Sequence, residues 1–157
     1  MMKLFNKKLR KRVLVCNGLP FTKTQLFRLF DDCQSDFICS LKHIYQTEDK
    51  EMVWKEYKKT AKEIQTTLEK CYSHGADIIN NFTYQSFSKL NKYDIVIILA
   101  HHSEMTKEIE FNGELFSEDF FTEQFPSDFE GILDLTSCFS IGLQYAVKLH
   151  CLSEHFH

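Results

Sequence analysis

The run Tyr93-Asp-Ile-Val-Ile-Ile-Leu-Ala100 narrows most sharply what this chain can fold into. A strand with one wet face alternates apolar and polar residues, whereas this run is almost unbroken in aliphatic side chains, the pattern of a central parallel strand covered on both faces. It stops abruptly at His101-His102. Two more runs share its character. Arg12-Val-Leu-Val-Cys16 is closed by Asn17-Gly18 and Pro20, and Gly131-Ile-Leu-Asp-Leu-Thr-Ser137 reads as a second buried strand ending at Cys138. Ala76 to Phe82 reads as a further strand, and Asp36 to Tyr45 is strand-like, though less regular.

The segments between these runs carry helical signals. Thr22 followed by Gln25 is a capping-box signature, and Leu26, Phe27, Leu29, Phe30 and Cys33 give the helix after it an apolar face. From Asp49 to His74, Trp54, Tyr57, Ala61, Ile64, Leu68 and Cys71 recur at spacings of three and four, with Lys and Glu on the other faces and Gly75 placed to end the helix. Such a stripe is read as the face packed on a sheet. Thr83 is the expected N-cap of a short helix to Leu90. Glu108 to Phe111, Asn112-Gly113 and Glu114 to Phe116 spell a hairpin, because Asn-Gly suits the positive φ angles of a type I′ turn. Ser117 then caps a short helix with Glu118 and Asp119 in its first turn, where the helix dipole favours them, and Pro126 falls just beyond it. Ile141 to Cys151 is the last expected helix.

Strands alternating with helices predict one α/β domain over residues 1–157: a three-layer sandwich with a mostly parallel central sheet and helices on both faces. With 157 residues, 43% of them hydrophobic and 15 of them phenylalanine, the chain has material for one sizeable core. A net charge of -3 argues against nucleic acid as the main partner. Lys3, Lys7, Lys8, Arg10, Lys11 and Arg12 crowd the N-terminus, and are read as a solvated arm beside the first strand. No signal-peptide pattern and no long apolar run is present, so a cytoplasmic protein without a membrane contact is expected, its six cysteines reduced.

Reactive groups in an open parallel sheet gather at the carboxyl ends of its strands. If the strands ending in His102 and in Cys138 are neighbours, an imidazole and a thiol emerge at one sheet edge. A cysteine nucleophile needs that proximity, since the thiolate attacks and an adjacent histidine lowers the thiol pKa. The expectation is therefore that these two strands are adjacent and parallel. Other candidates are weaker. His150, Cys151, His155 and His157 are ligand types without a second cluster to close a metal site, so no metal or other cofactor is expected. Asp134 is expected at an edge-facing or polar position. Gly18 lacks the further glycines of a phosphate-binding loop.

The order of a hydrophobic strand ending in His101-His102, the hairpin Glu108 to Phe116, Ser117-Glu-Asp-Phe-Phe, and Gly131-Ile-Leu-Asp-Leu-Thr-Ser-Cys-Phe-Ser140 resembles the caspase-like cysteine peptidases, most closely their bacterial CHAT-type members. The likeness covers roughly Ala76 to Leu149, with Arg12 to Cys16 similar to the family's first strand. It implies a cysteine peptidase with His102 as general base and acid, Cys138 as nucleophile, and the backbone N–H groups of Ser103 and Cys138 as the oxyanion hole. His101 is the alternative base. Ser103 stands where the family usually has glycine, and 19 residues follow Cys138, so the resemblance is to the large-subunit half. A peptide or protein substrate is implied, with a second copy or subunit completing the sheet. The alternatives are a caspase-like scaffold without turnover that acts as a protein-interaction module, and a flavodoxin-like or Rossmann-like ligand binder.

Overall fold

The computed structural model describes residues 11–31, 35–103 and 106–136. β1 (Val13–Asn17), α1 (Lys23–Asp31), α2 (Asp36–Tyr45), α3 (Lys50–Tyr72) and β2 (Ala76–Ile79) come first. A 3-10 helix, Tyr84–Lys92, leads to β3 (Ile95–Leu99), β4 (His101–His102), β5 (Glu108–Phe111), β6 (Glu114–Ser117), α4 (Glu118–Glu123) and β7 (Ile132–Thr136). β2, β1, β3 and β7 form, in that order, a four-stranded sheet, while β4, β5 and β6 form a separate three-stranded one. Every pairing in the first sheet is parallel, and both pairings in the second are antiparallel. The molecule is thus α/β with a parallel sheet, as expected, plus a small antiparallel sheet in which the histidine doublet is itself a strand.

The helix starts follow local chemistry. Gln25 Oε1 accepts from the N–H groups of Phe21 (2.7 Å) and Thr22 (3.0 Å), and Thr22 Oγ1 accepts from Gln25 N at 3.2 Å, which is the capping box read from the sequence. Gln25 Nε2 also donates to Asn81 Oδ1 at 2.6 Å and to Asn112 Oδ1, so one buried side chain ties α1 to the loop after β2 and to the hairpin tip.

Asp36 to Tyr45 is helical rather than extended. Ser35 Oγ accepts from Ile38 N at 3.2 Å, and Gln46 closes the last turn in the left-handed region at φ 53. Phe37, Ile38, Leu41 and Tyr45 then share one face, and that helical spacing outweighs the β-propensity of the individual residues. α3 begins at Asp49, whose Oδ1 accepts from Glu51 N at 2.8 Å. Val53, Tyr57, Ala61 and Leu68 are its buried residues, whereas Cys71, expected on that stripe, is exposed.

Two apolar clusters hold the fold. Leu26, Leu29, Ile38, Leu41, Val53, Tyr57 and Ala61 join α1, α2 and α3, with Leu115 of β6 packed against them. α3 also packs on β2. The larger cluster lies on one face of the parallel sheet, where Leu14, Cys16, Val96, Ile98, Ala100 and Leu135 meet Phe82, Phe87, Leu90, Phe111, Phe121, Phe125 and Phe129. Gly18 follows β1 and is bonded through its N–H to Leu99 O at 2.7 Å, and a Cβ there would lie 2.8 Å from Phe111 Cβ. Only glycine lets the hairpin approach so closely.

β7 departs from expectation in one respect. Read as a buried strand, it is the outer strand of the described sheet, with Leu135 buried but Ile132 57% exposed. Asp134 is exposed. Among the described residues no helix is long and apolar enough to cross a membrane.

Candidate functional site

The strand order reverses between β1 and β3, because the chain leaves β1 toward β2 on one side and returns with β3 on the other. Such a switch point opens a crevice at the carboxyl ends of the strands. Here the hairpin tip fills it, with Asn112 N donating to Gly18 O at 2.8 Å. His101 and His102 lie one strand further along, after β3.

β3 and β7 are adjacent and parallel, and they end level, with Leu99 opposite Thr136. This is the pairing expected of the strands that precede His102 and Cys138. Cys138 itself lies outside the described residues, as do Cys33, Ile141 to Cys151, His155 and His157.

His101 and His102 occupy neighbouring positions in β4, so their side chains leave opposite faces of the small sheet. His102 stands opposite Ile109, which belongs to the phenylalanine-rich cluster, and His101 stands opposite Glu110, which in turn faces Leu115. His102 is only 3% exposed and its Nε2 lies 2.7 Å from Glu118 Oε1. An ionised carboxylate has no hydrogen to give, so the ring nitrogen is the donor. In the sequence Glu118 reads only as an acidic residue that favours the dipole of α4. The 2.7 Å contact joins residues 16 apart in sequence, and no spacing rule in the sequence announces it.

His101 turns toward α2. Its ring is 5.9 Å from that of Phe37, and its Nε2 is buried without a hydrogen-bond partner among the described residues. Burial pushes its pKa below the ordinary histidine value; the Asp36 carboxylate opposes that shift, and His102 adds to it. Glu110, 2% exposed, stands across the ladder from it. The unfolded chain therefore binds a proton at this position more readily than the folded one. Stability rises with pH between the lowered folded value and the ordinary value of about 6.5, and is lost as pH falls through that window. Urea unfolding at pH 7 and at pH 5 is expected to show a smaller stability loss on acidification in His101→Gln than in the parent chain. Equal losses would contradict the assignment.

Ser103, 2% exposed, is enclosed on every polar atom. Its Oγ donates to Asp36 Oδ2 and accepts from Thr106 N at 3.1 Å, and its carbonyl accepts from Lys107 N at 3.1 Å. Its N–H donates to Glu108 O at 2.9 Å. The oxyanion role expected of this N–H is therefore in competition with the ladder that closes β4 onto β5. Of the two expected donors, the Ser103 amide is committed to the hairpin.

Cys16, Cys39 and Cys71 are free thiols. Burial raises the pKa of Cys16 far above the usual thiol range, so it is a core side chain and not a nucleophile. Among the described residues no group of three or more His, Cys, Asp or Glu side chains is arranged to hold a metal. Set against protein-family models, curated proteins and solved structures, the chain matches none.

Proposed function

We propose that the chain is a caspase-like cysteine peptidase, or the large-subunit-like part of one, with Cys138 as nucleophile and His102 as general base and acid. The observation that carries this reading is the level, parallel ending of β3 and β7. Adjacent strands lie about 4.8 Å apart, and each residue advances the chain by at most about 3.8 Å. Cys138 comes two residues after Thr136 and His102 three after Leu99, so both fall within reach of one crevice. In this reading the strand β7 lies inside a three-layer sandwich, and a second copy or subunit supplies what covers its outer edge.

The chemistry runs as follows. The thiol proton passes to the imidazole, and the thiolate attacks the peptide carbonyl carbon. The tetrahedral intermediate collapses as the imidazolium protonates the departing amine, leaving an acyl-cysteine. Water then gives its proton to the imidazole and its oxygen to the acyl carbon, and the thiolate leaves. With the Ser103 amide bonded to Glu108, the Cys138 amide is the remaining donor of the expected pair for the oxyanion.

That committed amide, together with the exposed Ile132 on the outer strand, also favours a second reading: a caspase-like scaffold without turnover whose β7 edge pairs with a partner chain. Mass-spectrometric mapping of iodoacetamide labelling on the native chain separates the two. A thiol beside an imidazole has a raised thiolate fraction, so Cys138 is expected to react about tenfold faster at pH 7 than the exposed Cys39 and Cys71. His102→Ala should bring it down to their level. Labelling of Cys138 no faster than Cys39, or unchanged by His102→Ala, would favour the scaffold.

A further inference from the structure

We infer that the groove between the 3-10 helix and the end of α4 is a docking site for a proline-rich polypeptide segment, bound as a left-handed polyproline helix. The inference uses neither histidine and is independent of the peptidase reading. It rests on what lines the groove.

Tyr84, Gln85, Phe87 and Ser88 come from the 3-10 helix, Gln124 ends α4 and Pro126 follows it, and together they line an open groove of about 540 Å³. Its aromatic members are held in place. Phe87 is buried against the rings of Phe121 and Phe125. Tyr84, 47% exposed, has its ring centroid 6.2 Å from that of Phe120, which is exposed as well. Phe120 stacks on Phe116 at 5.4 Å and 15°, and Phe116 stacks on the buried Phe111 at 4.3 Å and 16°. A column of four rings thus runs from the core to the surface and anchors the exposed pair. Pro126 adds a ring of fixed φ, and its carbonyl accepts from Phe129 N at 2.9 Å.

The chemistry of the lining selects the occupant. None of the six residues is charged, so nothing in the groove complements a nucleic-acid phosphate or an acidic peptide. No strand of either sheet lines it, so it offers no row of backbone N–H groups to an added strand. The exposed apolar residues here are Tyr84 and Phe120, too few to receive the repeated anchors of an amphipathic helix. Rings interleaved with uncharged donors suit a polyproline helix instead. Its pyrrolidine rings pack on aromatic faces, and its carbonyls, left without internal partners, accept from Gln85 Nε2, Gln124 Nε2 and the Tyr84 hydroxyl. Ser88 Oγ is already given to Gln85 O at 3.1 Å. An open groove buries little surface, which favours a ligand that is ordered before it binds, and a polyproline helix is one. The 157 residues hold two prolines, Pro20 and Pro126, so this sequence supplies no such segment itself.

The test is an NMR titration of the isotope-labelled full chain with deca-L-proline up to about 5 mM, followed through backbone and glutamine side-chain amides. Shifts are expected at residues 84–88 and 124–126, with a Kd on the order of 0.1–1 mM, as suits a shallow site. Tyr84→Ala removes the exposed ring and should weaken binding by about tenfold, and Gln124→Ala removes one donor and should weaken it by about threefold. Deca-D-proline forms the mirror-image helix, so it should bind at least about tenfold more weakly than the L-peptide. The absence of shifts at these residues would overturn the inference. So would equal binding of the two enantiomers, which marks a contact that is merely apolar, or binding unchanged in both variants. Cellotetraose shifting the same residues where deca-L-proline does not would assign the groove to a sugar and overturn it too. Tyr84 is largely exposed, so Tyr84→Ala should fold, and Gln124→Ala with the D-peptide decides the matter if it does not.

Discussion

Phe87→Ala is expected to lower the stability of the chain by about 3–5 kcal/mol, the range seen when a buried aromatic ring is removed from a packed core. Phe87 sits on the 3-10 helix, and its ring centroid lies 5.0 Å from that of Phe82, 5.8 Å from Phe111, 5.4 Å from Phe121 and 5.3 Å from Phe125. Its neighbours come from the loop after β2, from β5, from α4 and from the segment beyond α4, so no single element can move in to fill the space. Two of the contacts are edge-on, at interplanar angles of 85° and 84°, which suits the positive ring edge against a negative face. The exposed Phe120 is the comparison: Phe120→Ala should cost within about 1 kcal/mol. Urea unfolding of both variants measures the difference. A loss below about 1.5 kcal/mol for Phe87→Ala would show that the cluster can collapse onto the gap, contrary to this account.

The second large effect is expected at the hairpin tip. Gly113 has φ +75, and an L-residue held in the left-handed region pays about 1–2 kcal/mol. A Cβ built there would also lie 2.6 Å from Gln25 Cα and 2.8 Å from its carbonyl carbon. Those are backbone atoms of α1, and no rotamer change can move them. Gly113→Ala should therefore cost about 3 kcal/mol or more, strain and overpacking together. Gly75 isolates the strain, since it has φ +134 with nothing within 4 Å of a Cβ. Gly113→Ala is expected to exceed Gly75→Ala in urea unfolding, and equal losses would mean that α1 and the hairpin separate easily. The contact matters for the site because β5, which this turn begins to reverse, is the strand that β4 and His102 pair with.

Much of the frame was legible because its signals are local. The aliphatic run into His101, the Asn112-Gly113 turn, the Thr22 and Gln25 box and the cap at Ser117 each sit within a few residues of what they specify. Asp36 to Tyr45 reads as strand-like in sequence yet folds as a helix, for a physical reason. Its β-branched and aromatic residues raise strand propensity, whereas Ser35 and the spacing of Ile38 and Leu41 set a helix that burial against α3 rewards. The chain continues past β3 into β4, so the doublet is extended backbone and its two imidazoles point apart. That separation depends on a pairing with β5 that the sequence does not state, and it distinguishes His101 from His102 by environment: Phe37 of α2 and Glu110 for one, Glu118 and Ile109 for the other.

Glu118 shows the same limit. In sequence it is an acidic residue in a first turn, with an ordinary electrostatic reason to be there. Only the packing of α4 against β5 and β6 brings it to Nε2. The commitment of the Ser103 amide to Glu108 is equally a matter of register, and no motif in the Ser103 region carries it.

The pairing of His102 with Cys138 is the central claim, and the distance from Cys138 Sγ to the nearer His102 ring nitrogen in a crystal structure of the full chain tests it most directly. A separation within about 4 Å is the expected result for a resting thiol and its base. A Cys138 side chain turned into the core or toward the opposite face of the sheet, beyond about 7 Å from both histidine rings, would contradict the dyad and the peptidase reading built on it.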